Sequence, residues 1–402
     1  MEHVAPPPGR PDVGVIVLPA TRWSDTWRPC NYVVQGLSRH YHMLWVNPAE
    51  EWREAVRDPL RSGRPTWSHP FPGVTVYDPE PWLPVVYSPA GFGRVLRRAR
   101  LGRARRFLER KGCRTILLYL WRPEFAHALE DLPHDGSFFH IDDEYSFADH
   151  EVPLDPAERA LILRVDGVII HSPALMEKKG HLNPATVLVP NGVIFDQVAD
   201  PRPEPSDLTS IPTPRIGYMG YLKKHLDWAL LEALALRHPG WSFVYVGGEE
   251  PHPELGVALE RLRALPNVHL LGEKPTAEIL AYPQHFDVCI LPYRRMPYTE
   301  YIYPLKLHEY LATGRPVVGT PIRSLQEHPD VVRLASTVDE WGQALEEALD
   351  PASMSPGRVE ARKAVARHHD WNPLTDRIAA FMAPGRGPKR AAPVDIESGV
   401  NP

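Results

Sequence analysis

Residues 301–321 read YIYPLKLHEYLATGRPVVGTP, a helix that runs into a strand. Pro304 suits the first turn of a helix, where its missing N–H costs no intrahelical bond, and Gly314 suits the end. RPVVGT (315–320) then has the β-branched character of a buried strand. Along the helix Leu305, Leu307, Tyr310 and Leu311 can pack inward. Lys306 and Glu309 stand three residues apart and therefore share one face near the N-terminus. A carboxylate there can accept two hydrogen bonds from a ribose diol, and the helix start together with Lys306 suits a diphosphate. The competing reading is an ion pair on a wet surface, worth about 0.2–0.5 kcal/mol and functionally silent.

The same helix-and-strand rhythm extends in both directions. Short apolar runs rich in Val, Ile, Leu and Tyr alternate with longer stretches of helical period, the signature of parallel sheets. In the first half the expected strands are 13–19, 41–48, 73–79, 115–121, 137–143, 166–172 and 186–192. In the second they are 215–220, 242–248, 267–272, 288–293, 315–320 and 331–336. The expectation is an α/β protein of two doubly wound parallel-sheet domains, 11–195 and 215–367, facing each other across a cleft. A proline-rich linker (196–214) joins them, a closing helix (368–384) follows, and 1–10 and 385–402 read as disordered tails.

Composition agrees. A chain of 402 residues exceeds what one core usually serves. A net charge of −5 gives no overall attraction to nucleic acid. Cys30, Cys113 and Cys289 are odd in number and widely spaced, which argues against a disulfide framework or a cysteine metal site. No secretory pattern opens the sequence and no apolar run approaches the roughly 20 residues of a membrane span, so a cytoplasmic location is expected.

Ligands bind outside the carboxyl ends of parallel strands, which makes the residues after each run the ones to inspect. In IGYMGYLKKH, Gly217 and Gly220 end a strand before Lys223 and Lys224, and a helix begins near Asp227. Glycines let a backbone approach a ligand and lysines offer charge to phosphate, although a strand turning into a helix with solvated lysines looks the same. ILPYRRMPYTE carries Arg294 and Arg295 into a loop and is equally ambiguous. FFHIDDEYSFADH ends a strand in His140, Asp142, Asp143 and Glu144, with Asp149 and His150 beyond. Crowded carboxylates shift one another's pKa, which suits a group that orients or deprotonates a hydroxyl; a capping Asp142 among solvated neighbours is the alternative. Arg122 in YLWRPEF, and Trp23, Asp25, Trp27 and Arg28 in RWSDTWR, follow strands too. Indoles stack on sugar faces and arginines reach phosphate, or these loops merely pack. The segment 93–112 carries eight arginines and a lysine, and reads as a basic helix for an anionic membrane surface or as a solvated one.

The string PLKLHEYLATGRPVVGT resembles the donor-site motif of retaining GT-B glycosyltransferases of the group 1 (family four) type. GYMGYLKKHLDWALLEALALRHPGWSFVYVGG is similar to that group's first C-terminal βαβ unit, VDGVIIHSPALMEKKG with VLVPNGV to its last N-terminal unit, and RHHDWNPLTDRIAAFM to its closing helix. Within the group the chain resembles the teichuronic-acid-type branch. The resemblance implies a nucleotide-diphosphate sugar held by the C-terminal domain and a carbohydrate, lipid-linked or small-molecule acceptor held by the N-terminal one. It also implies transfer with retained configuration; no Asp-x-Asp motif typical of metal-dependent sugar transferases appears, so transfer without metal or cofactor is expected.

Carried over residue by residue, Glu309 falls on the ribose-binding glutamate. The family's other glutamate falls on Tyr301, with Glu300 beside it. Tyr221 stands where an arginine is common, leaving Lys223, Lys224, Arg294 and Lys306 for the diphosphate, with Leu307 and Gly220 also on the donor side. Asp143, then Asp142 and His140, are the expected catalytic residues, and Trp23, Asp25, Arg28 and Arg122 the acceptor contacts. Two other readings share the architecture: a sugar-nucleotide 2-epimerase and a nonenzymatic two-domain binding protein.

Overall fold

A computed structural model describes residues 8–24, 28–51, 53, 66–87, 90–145 and 153–384. The first half builds one sheet from β1 (Val13–Leu18), β2 (His42–Val46), β3 (Trp67–Phe71), β4 (Val74–Tyr77), β5 (Thr115–Leu120), β6 (Gly136–Ile141), β7 (Gly167–Ile170) and β8 (Thr186–Leu188), ordered β3-β4-β2-β1-β5-β6-β7-β8. The second builds another from β9 (Arg215–Met219), β10 (Ser242–Val246), β11 (Val268–Leu270), β12 (Val288–Leu291), β13 (Val317–Gly319) and β14 (Val332–Leu334), ordered β11-β10-β9-β12-β13-β14. All described pairings are parallel except β3 with β4.

Parallel strands covered on both faces need continuous apolar runs. VGVIVL in β1 and VCIL in β12 are buried along their whole length. β3 departs from the expected set. Its sequence WSHPF lacks an apolar run and contains Pro70, which an edge strand tolerates and a central one does not.

The principal helices are α1 (Pro29–Leu37), α2 (Ala90–Arg110), α3 (Pro156–Arg164), α4 (Pro173–Lys179), α5 (Trp228–Arg237), α6 (Pro253–Arg263), α7 (Leu305–Thr313), α8 (Val338–Leu349), α9 (Pro356–His368) and α10 (Trp371–Phe381). Each sheet reverses direction once, between β1 and β5 and between β9 and β12. These switch points open crevices at the strands' carboxyl ends.

The chain crosses between the halves twice. The outgoing segment 196–214, expected as a linker, is fastened to the second half. Leu208 and Ile211 lie in that half's core, and the Arg215 side chain donates to the carbonyls of both. On return, α10 packs on the first half: Trp371 stacks on Tyr32 at 5.8 Å, and the Tyr41 hydroxyl donates to the Ala379 carbonyl at 2.6 Å. The crossings touch, since Val193 N donates to His369 O at 3.0 Å and Trp371 N to Val193 O at 2.9 Å.

On α2 several arginines are already engaged. Arg97 and Arg98 hold buried Asp131 at 3.0 and 3.2 Å, Arg103 holds Glu80 at 2.5 Å, and Arg100 donates to the carbonyls of Leu83 and Pro84. The loop 81–87 is thereby tied along the start of the helix. Among the described residues no helix is long and apolar enough to cross a membrane.

Candidate functional site

A cleft of ≈ 1710 Å³ lies between the two rims, lined from one side by Arg28, Tyr32, Arg122, Asp142, Asp143 and His171 and from the other by Gly220, Lys223, Tyr298, Lys306 and Glu309. On α7, Leu307, Tyr310 and Leu311 are buried in the second core, which fixes the roll of the helix and turns Lys306 and Glu309 into the cleft. Lys306 Nζ donates to the Tyr218 hydroxyl at 2.7 Å, so the ammonium rests at the end of β9. Gly220 makes room for it. Its φ is +125°, and a Cβ there would stand 2.8 Å from Lys306 Cε. Gly247, with φ +148°, in turn lets the loop after β10 approach Gly220, whose carbonyl would lie 2.2 Å from an added Cβ. Gly217 serves packing, because its missing side chain accommodates the Phe286 ring.

Loss of hydration raises the Glu309 carboxyl to about 7, against the pull of Lys306. Part of its surface still opens on the cleft, and its oxygens accept no hydrogen bond among the described residues. The Lys223 ammonium is lowered, first by burial and then by Lys306, although its own surface is largely exposed; it is a cleft cation with open access.

The opposite wall is acidic. β6 ends at Ile141, which leaves Asp142 and Asp143 at the rim. Asp142 Oδ1 accepts from Tyr145 at 2.6 Å and lies 3.7 Å from Arg122 Nη1. Asp143 Oδ1 accepts from the Glu144 N–H at 2.8 Å and from the Tyr298 hydroxyl, which comes from the other half, at 3.0 Å. Burial, then the Asp142 charge, raises the Asp143 pKa; the two hydrogen bonds oppose that. Beneath this rim Lys179, fully buried, binds Glu144 at 3.0 Å and Glu158 at 2.7 Å.

Other expected site residues lie elsewhere. His140 is buried under Trp121, ring centroids 4.1 Å apart, with Nδ1 2.5 Å from the Tyr119 hydroxyl, and does not line the cleft. Leu307 is a core residue. Lys224 does not line the cleft, and its N–H donates to Glu250. Arg294 is exposed beyond the cleft, its N–H on the His225 carbonyl. Glu300 accepts the Arg323 N–H at 3.1 Å, capping the short helix Arg323–Gln326, and Tyr301 sits under Lys178 at 4.9 Å. Trp23 packs edge-on against Trp45 at 4.9 Å. Asp25, Trp27, Asp149 and His150 lie outside the described residues.

Among the cleft residues that escaped the sequence reading are Tyr32, Tyr298 and His171. His171 immediately follows β7, so the strand-end rule contained the signal. Its Nδ1 lies 3.1 Å from the Ile141 carbonyl, and burial lowers its pKa.

Residues 213–351 match the family model for glycosyl transferases group 1. A protein of Bacillus subtilis (strain 168) named "Putative teichuronic acid biosynthesis glycosyltransferase TuaH" is 31% identical over 236 residues. That match covers 56% of this chain and 58% of the relative, so the chain spans little more than half the relative's length. Among solved structures, a sucrose-phosphate synthase from Thermosynechococcus elongatus aligns with a TM-score of 0.67 at 15% identity, covering 92% of this chain and 98% of that one. An E. coli structure titled as trehalose-6-phosphate bound with UDP-2-fluoro glucose aligns at 0.66 and 13% identity, with the same coverage. These likenesses establish the shared two-domain fold.

Proposed function

We propose, from the match of residues 213–351 to the group 1 glycosyl transferase family model, that the protein moves a sugar from a nucleotide-diphosphate donor to an acceptor hydroxyl in the cleft. The observation that carries the reading is the placement of Lys306 and Glu309 on one cleft-facing side of α7, opposite Asp142 and Asp143. Glu309 takes the ribose diol, while Lys306, Lys223 and the first turn of α7 take the diphosphate. Their charge stands where leaving-group charge grows, which supports transfer without a metal.

On the acceptor side Asp143 accepts a hydrogen bond from the incoming hydroxyl, flanked by Asp142, Arg122, Arg28 and His171. The bond from the anomeric carbon to the diphosphate oxygen breaks, and a bond to the acceptor oxygen forms on the same face. The acceptor proton passes to the departing diphosphate, so configuration is retained and no protein nucleophile is consumed. The acceptor is a carbohydrate, a lipid-linked sugar or a small molecule. A lipid-linked one agrees with a cytoplasmic protein that touches an anionic membrane through the start of α2. Phe92 and Val95 are exposed there with Arg94 solvated between them, and Trp82 and Tyr87 of the loop tied along the helix are 69% and 73% exposed.

A thermal-shift screen of UDP, GDP and dTDP tests the donor half of the proposal. One of them should stabilise the protein by about 2.7 kcal/mol at a hundred times its Kd, and Glu309→Ala should cut that gain. No response to any of them, or an unchanged response in the variant, would refute it. With labelled nucleotide sugar, label should move only when acceptor is added; isomerised sugar without acceptor would indicate an epimerase.

A further inference from the structure

Behind α7, away from the cleft, three histidines from distant parts of the chain converge. His308 lies on α7, His328 follows the short helix Arg323–Gln326, and His369 ends α9 where the chain returns to the first half. One ring nitrogen of each lies within 4.8 Å of the other two. The His308 and His369 rings stack at 3.9 Å, and His328 stands edge-on to them at 5.6 and 5.5 Å. His308 is fully buried.

The hydrogen bonds leave a lone pair on each ring. His369 Nδ1 donates to the Val365 carbonyl at 2.9 Å, which fixes that tautomer and leaves Nε2 as an acceptor. His308 Nε2 faces the Tyr303 hydroxyl at 3.0 Å, while its Nδ1 is buried with no partner. His328 Nε2 is likewise buried without a partner. A buried polar atom that makes no hydrogen bond calls for a reason, and an unseen ion is one. Metal-bound histidines characteristically give their second nitrogen to a carbonyl or a similar group, as His369 does with Val365 and His308 with Tyr303.

We propose that His308, His328 and His369 bind a late first-row divalent cation, Zn²⁺ foremost, through His308 Nδ1, His328 Nε2 and His369 Nε2, with water in a fourth position. Imidazole sets suit such ions. Zn–N bonds of about 2.0–2.1 Å place the nitrogens of a tetrahedral site about 3.3 Å apart. Binding therefore requires the stacked rings of His308 and His369 to fan open, pivoting on their hydrogen bonds to Tyr303 and Val365. The ion would tie α7 to the point where α9 hands the chain back to the first half. It is separate from the transfer chemistry, since none of the three histidines lines the cleft.

The test is titration of the full-length protein, freed of metal with a chelator, with Co²⁺ as a spectroscopic probe. One equivalent should produce the intense visible bands of a four-coordinate ion, and Zn²⁺ should displace it. His328→Ala and His369→Ala, each only half-buried, should each weaken binding at least tenfold, while His269→Ala, on β11, leaves it unchanged. Both variants should still be stabilised by the nucleotide that stabilises the parent protein, which separates this proposal from the donor site. A parent protein that takes up no stoichiometric Co²⁺, or variants that bind it as the parent does, would overturn the proposal.

Discussion

The Tyr298 hydroxyl of the second half reaches across the cleft to Asp143 of the first, 3.0 Å from Oδ1 and 3.2 Å from Oδ2. It donates to the carboxylate as an acceptor hydroxyl would. Its hydrogen bond lowers the Asp143 pKa against the raising effects of burial and Asp142. Tyr298→Phe should therefore move the acid limb of the kcat/KM profile to higher pH, because Asp143 would hold its proton longer. A pH–rate profile with an unmoved acid limb would remove Asp143 from the rate-determining ionisation.

Asp143→Asn separates activity from stability. The folded Asp143 pKa is raised, so between the ordinary carboxylate value and the raised one the native state binds more protons than the unfolded chain. Wild-type stability thus falls as pH rises through that window, and the full cost is present above it. The variant should have the higher Tm at neutral pH, with the advantage fading as pH drops below the ordinary carboxylate range. Turnover should fall by about 10²-fold or more, with donor affinity intact. Calorimetry across pH and steady-state kinetics read the two effects.

Gly220→Ala should act through Lys306. The added methyl would meet Cε and Nζ of the lysine at a backbone angle that favours glycine. Nucleoside diphosphate affinity should drop while affinity for the bare nucleoside holds, and calorimetric titration with both ligands distinguishes them. Glu309→Ala should weaken both, by about 1–3 kcal/mol for a lost buried hydrogen bond.

Lys179→Met leaves Glu144 and Glu158 buried with less compensation. A cost of about 3–5 kcal/mol is expected from breaking such a network. It should appear as a lowered first transition in calorimetry, with lost turnover, because Glu144 adjoins Asp143.

Vesicles test the surface of α2. Co-sedimentation with vesicles of mixed anionic and zwitterionic lipid should exceed that with zwitterionic lipid alone, and should fall in a Trp82→Ala, Phe92→Ala protein. Equal recovery with both lipids would rule out the contact.

The sheets were legible because buried parallel strands demand apolar runs, as VGVIVL and VCIL show; β3 was not, since an edge strand imposes no such demand. Lys306 and Glu309 were legible because helical spacing ties their direction to that of Leu307, Tyr310 and Leu311. Loop residues lack such a constraint. Arg294 and Lys224 carry the right charge beside the right strands, yet lie off the cleft. Tyr298 was hidden because it meets Asp143 only through the packing of the two halves, whereas His171 sits just past β7, where the strand-end rule points. His140 misled because it still lies inside β6, short of the strand's carboxyl end, where the Trp121 ring covers it.

The contact between Val193 and the 369–371 return makes the junction a two-stranded strap. A single tether would let the halves swivel about their common axis. Two strands cross-bonded at one level oppose that torsion, which holds the Tyr298–Asp143 contact to one register.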